Sequence, residues 1–146
     1  MSLDPYKAGL LKGNTYYAKT DVEARLVVVL QTTMDNRSMH MIAPQSRALC
    51  QYEIHELILT DEPGAAPGKE VNRVGYLGFA EIEKGGVVIK GDEVLVEGEL
   101  IGHIAGFDET HMPNHQNIII FSEDRTPGGD RGVKLGSKVT FRHVVA

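Results

Sequence analysis

Short apolar runs recur along the chain, rich in β-branched residues and separated by glycine, proline and acidic turns. That punctuation predicts strands rather than helices. Eight segments qualify: "RLVVVLQTT" (Arg25 to Thr33), "LCQYEIHELIL" (Leu49 to Leu59), "RVGYLGFAEI" (Arg73 to Ile82), "GVVIK" (Gly86 to Lys90), "EVLVEG" (Glu93 to Gly98), "LIGHIAGF" (Leu100 to Phe107), "NIIIFS" (Asn117 to Ser122) and "KVTFRHVV" (Lys138 to Val145). In "EVLVEGEL" the alternation turns Val94, Val96 or Leu95 toward a core and Glu93, Glu97 and Glu99 toward solvent. "TDVEARLVVVL" opens with the capping-box spacing Thr20 to Glu23, a competing helix start, but its valine run favours a strand.

Tight turns are expected at "KGG" (Lys84 to Gly86) and "KGD" (Lys90 to Asp92), where glycine supplies positive φ. "DEPGAAPGKE" (Asp61 to Glu70) and "EDRTPGGDRGVKLG" (Glu123 to Gly136) read as long exposed loops. The expected fold is all-β: one small domain over residues 1–146, a closed or partly open β-barrel with long loops at one end and an irregular segment at 1–20.

Composition narrows the functional classes. The 146 residues carry 15 basic and 20 acidic side chains, a net charge of -5, with no basic tract to release counterions from nucleic acid. "LVVVL" (Leu26 to Leu30) is far too short to span a bilayer. The single cysteine, Cys50, excludes an internal disulfide and suits a reducing, cytoplasmic compartment, where it reads as a small buried hydrophobe. The expected partners are a small-molecule ligand and further copies of the chain, not nucleic acid or membrane.

Candidate chemistry concentrates in "FDETHMPNHQN" (Phe107 to Asn117), which sets two acids, two histidines, two asparagines and a proline between two apolar strands. Burying so many polar groups unpaired is costly, so they face water, one another or a ligand. One reading makes Asp108, Glu109, His111 and His115 a divalent metal site for zinc, iron or manganese, open to hydrolase or lyase chemistry with Glu109 as general base. His111 and His115 are four apart, as on one helix face, although Pro113 intervenes. A second reading gives one imidazole acid-base or phosphoryl work. In the plainest reading Asp108 and Asn114 form Asx turns, Pro113 stiffens the connection and the histidines bond to backbone. Asn114 joins Asp108, His111 and His115 as a ligand-binding candidate. By parity His103 and His143 are expected to be packed and hydrogen-bonded, His55 shares a strand face with Glu53, and His40 is a rim residue near the same pocket.

The C-terminal half, "VEGELIGHIAGFDETHMPNHQNIII" followed by a long loop and "LGSKVTF", resembles the closing part of the glucitol/sorbitol-specific enzyme IIA of the bacterial phosphotransferase system. The resemblance runs from about Asp92 to Val144, with a looser likeness in "YEIHEL". It implies a small barrel-like domain and, at the position similar to the family's phosphoryl acceptor, His55. Glu56 and Leu57 follow His55 where that family has a further histidine and a glycine, so the likeness extends to the fold further than to phosphocarrier activity. As a whole the chain resembles a family of small prokaryotic proteins without an assigned role.

Overall fold

The structure, a computed structural model, describes residues 20–144. The irregular segment expected at 1–20 and the end of the last predicted strand, Val145, lie outside the described residues, apart from Thr20. The fold is all-β, with twelve strands and one short 3-10 turn, Gly129–Arg131, among the described residues. No described helix is long and apolar enough to cross a membrane.

Seven strands close on themselves. Strand β1 (Val22–Val29) pairs with β12 (Lys138–Arg142), which pairs in turn with β9 (Glu93–Val96). The ladder continues through β10 (Glu99–Asp108), β11 (Asn117–Phe121), β5 (Ile54–Thr60) and β7 (Val74–Lys84), and β7 returns to β1. Every pairing in this ring is antiparallel except β11 with β5, which run parallel. Five short strands fill in around it. β2 (Thr33–Met34) extends β7, β3 (Met39–His40) pairs with β6 (Glu70–Val71), and β4 (Ser46–Leu49) pairs with β8 (Gly86–Ile89).

Two apolar cores follow from the strand parity. Leu57 and Leu59 of β5, Ile118 and Ile120 of β11, Val94 and Val96 of β9 and Phe141 of β12 point into the ring. Ile58 and Ile119 point outward, where Met39, Met41 and Val71 of the β3/β6 flap cover them. Strands buried on both faces read as unbroken apolar runs instead of alternating ones. This accounts for "LIL" in β5 and "III" in β11.

The structure corrects several expectations. "LCQYEIHELIL" is not one strand: β4 ends at Leu49 and β5 begins at Ile54, with a turn between in which Tyr52 adopts positive φ. Cys50 lies in that turn and is exposed, not a buried hydrophobe. His103 is also exposed, because bulges on either side of it in β10 break the simple alternation. The 61–70 segment is only partly an excursion; Ala65 packs on the outer core and the Gly68 N–H reaches the Met41 carbonyl at 3.1 Å. Thr20 to Glu23 starts no helix, since β1 begins at Val22. Leu95 is buried along with Val94 and Val96. The turn from β9 to β10 has only two central residues, Glu97 and Gly98, both at positive φ as a tight hairpin demands.

Candidate metal centre

The Phe107 to Asn117 connection closes one rim of the ring, and Asp108 organises it. Its carboxylate accepts the Thr110 N–H and hydroxyl, each at 3.0 Å, and the Asn117 side-chain N–H at 3.0 Å. The first two bonds make the Asx turn expected of an aspartate here. Further on, the His111 carbonyl accepts the N–H groups of Asn114 and His115, at 2.9 and 3.3 Å. That single turn stacks the two imidazoles, with ring centroids 5.1 Å apart. The spacing of four acts as it does on a helix, although no helix forms.

Parallel pairing then carries a third group to the same place. Asn117 sits opposite Glu56 on β5, and the Glu56 N–H donates to the Gln116 carbonyl at 3.0 Å. One ligand atom each from Glu56, His111 and His115 lies within 4.8 Å of the others. Glu56 Oε1 stands 3.5 Å from His115 Nε2, close to the roughly 3.3 Å between two ligands of a tetrahedral zinc. His111 is the exposed member of the three.

The proton arrangement of His115 is decisive. Its Nδ1 lies 2.7 Å from the Asn114 side-chain oxygen, an acceptor, so Nδ1 carries the proton. Burial, then the neighbouring His111 and His55, push the ring below the ordinary imidazole value, and the Asn117 side chain draws it partly back. Nε2 is therefore a bare lone pair, and it is buried without a hydrogen-bond partner. Around it stand other acceptors. Asn117 turns its N–H to Asp108, which leaves its oxygen, also buried and unpartnered, on the His115 side. Burial raises the Glu56 carboxyl above its usual range and Asp108 adds to this, while the Arg37 charge draws it partly back. His115 Nε2, the Asn117 amide oxygen and the Glu56 carboxyl converge here. Phe79 covers the His115 ring edge-on, at 5.0 Å between centroids.

The remaining predicted residues have other engagements. Glu109 pairs with Arg47 at 3.2 Å, and Asp108 is committed to its turn. Of the four residues expected to bind metal, the fold brings His111 and His115 together and sets Glu56 beside them. His55 is buried, with Nδ1 accepting the Gln116 N–H at 3.0 Å and Nε2 facing Glu53 at 3.1 Å. Each ring nitrogen of His55 thus has a neighbour, the Gln116 N–H on one side and the Glu53 carboxylate on the other. His40 sits with Glu70 at 3.6 Å, and His143 with Asp92 at 3.3 Å.

A family model, DUF6917, described as a family of unknown function, matches residues 16–142. The chain belongs to this family. The match takes in every residue of the centre, from Glu56 to Asn117. No curated protein and no solved structure matches the chain.

Sequence reasoning missed Glu56 and Asn117. Glu56 did carry a signal, as an acid directly preceding the apolar run of a strand buried almost throughout, an expensive placement without compensation. Asn117 carried none.

Proposed function

We propose that this protein binds one divalent transition metal ion, zinc, iron or manganese, through Glu56, His111 and His115. The observation that carries the proposal is the buried, unpartnered Nε2 lone pair of His115 facing the Glu56 carboxylate. Two imidazoles and a carboxylate are a donor set suited to those metals. Asn114 acts as the outer partner that fixes the His115 tautomer, and Asp108 as the group that orients the Asn117 amide. The seven-stranded ring is read as a small closed barrel with the centre on its rim. A cytoplasmic setting rests on the single cysteine.

Elemental analysis of protein purified without chelator tests the proposal. Near-stoichiometric metal is expected, absent from both the His111→Ala/His115→Ala protein and Glu56→Gln. Protein that stays metal-free after incubation with zinc, iron(II) and manganese(II) would overturn it.

Hydrolase or lyase activity is a second reading, favoured by the count of ligands: three protein donors leave a coordination position for water or substrate. Glu109, held by Arg47, is not needed as a ligand. Activity on a hydrolysable substrate that is lost with chelator and restored by one metal would support this reading.

A further inference from the structure

Asp108, Asn117 and Glu56 form a row across three neighbouring strands. Asn117 is the register partner of Asp108 on β10 and of Glu56 on β5. Residues directly opposite one another in a ladder present their side chains on the same face. That face is the outer one, since Ile58 and Ile119, each two residues further along its strand, pack with Met39, Met41 and Val71. Asn117 occupies the middle of the row and is fully buried.

The two arms of its planar amide point different ways. The N–H arm donates to Asp108 Oδ1 at 3.0 Å, on the β10 side. The oxygen arm diverges from it and is turned off Asp108, toward β5 and Glu56. That oxygen is buried without a hydrogen-bond partner, and so is His115 Nε2, which stands 3.5 Å from Glu56 Oε1. One unmatched buried acceptor is costly, and two beside one carboxylate are more so unless something electron-poor sits among them. Gln116 also keeps a buried, unpartnered amide oxygen, but it precedes the paired row, and its N–H arm reaches the Asp108 carbonyl at 3.0 Å.

We infer that the Asn117 amide oxygen is the fourth protein ligand of the metal ion, closing a shell with Glu56, His111 and His115. The inference rests on the metal reading above and deepens it. Four protein donors mark a structural site, whereas a catalytic site keeps one position open. The ion is then a staple that ties the connection between β10 and β11 to β5, with no place for water or substrate, and this speaks against the hydrolase or lyase reading. The bond from the Asn117 N–H to Asp108 is what aims the oxygen.

Cobalt(II) in place of zinc tests the closed shell, because its visible absorption reports an added ligand such as azide entering the coordination sphere. Metal content is measured on the same samples. Cobalt-loaded wild type is expected to ignore azide, and Asn117→Ala to take it up with a shifted spectrum. Asn117→Ala should also weaken zinc on the order of tenfold or more. Asn117→Asp gives up the N–H to Asp108 but keeps an oxygen, so it should hold zinc more tightly than Asn117→Ala; equal loss in both would make Asn117 a support for the loop and not a ligand. Gln116→Ala should ignore azide as the wild type does, and a response there instead would pass the role to Gln116. A wild-type spectrum shifted by azide, or a cobalt-loaded Asn117→Ala that ignores it, would overturn the closed shell and leave the metal reading intact. Wild-type protein that takes up no zinc, iron(II) or manganese(II) would overturn both.

Discussion

At the scale of single residues, the proposed metal site depends on where two protons sit. Asn114 accepts the proton of His115 Nδ1 and so exposes a lone pair at Nε2. The Gln116 N–H occupies Nδ1 of His55 and ties that ring into the backbone. Two histidines in adjoining segments are thereby assigned opposite roles. Outer partners of metal-bound histidines commonly contribute 10–100-fold in affinity, so Asn114→Ala is expected to weaken zinc by roughly that factor without unfolding the protein, as a competition assay with a chelating dye would measure. His55→Leu should destabilise the fold by about 1–3 kcal/mol, since it strands a buried N–H. Urea denaturation checks this, and an unchanged midpoint would remove His55 from the framework of the rim.

At the scale of elements, the parallel pairing of β5 with β11 assembles the centre. It sets Asn117 opposite Glu56 and brings a loop near residue 111 onto a strand near residue 56. Both strands are buried on two faces, which leaves little freedom for the register to slip. The loop depends on Asp108, whose carboxylate holds three donors. Asp108→Ala is expected to cost about 1–3 kcal/mol of stability and to weaken metal binding as well, because the Asn117 amide loses its orientation. Thermal denaturation with and without zinc separates the two effects. β10 adds a constraint of its own: a side chain at Gly102 would collide with the Phe121 backbone, so the strand passes β11 closely only because that position is bare.

Across the whole molecule, charge and stability pull against the centre. The carboxyls of Glu23, Glu53, Asp61 and Asp124 are held below their usual values of 4.5 and 3.8 by Lys138, by the Cys50 N–H, by Arg73 and by Thr126 respectively. Groups depressed on folding contribute stability that is fully present above their unfolded values and is lost as pH falls through the folded ones. Metal-free protein is therefore expected to lose stability as pH drops below about 4.5. Glu56 acts in the opposite sense. Its raised value means that ionisation above it costs folding stability, which a bound cation offsets. Calorimetry at pH 7 should thus find metal-free Glu56→Gln at least as stable as metal-free wild type, yet unable to gain from added zinc. A large loss of stability in that variant would instead make Glu56 a structural residue.

Much of this was legible in the sequence, for reasons of local physics. β-branched runs and glycine turns act over a few residues, so the strands after Val74 fall within a few residues of their predicted bounds. His111 and His115 sit on one turn, a meeting that their spacing of four allowed despite Pro113 between them. The two-residue strands β2, β3 and β6 have too little length to imprint a pattern and exist because a neighbour pairs with them. Only the tertiary structure decided that Asp108 supports the turn, that Glu109 pairs with Arg47, and that Glu56 comes to His111 from a position 55 residues before it. Strand parity assigns a face to each residue along its own strand. It carries no information on which strand lies alongside, and that is what fixes the chemistry at the rim.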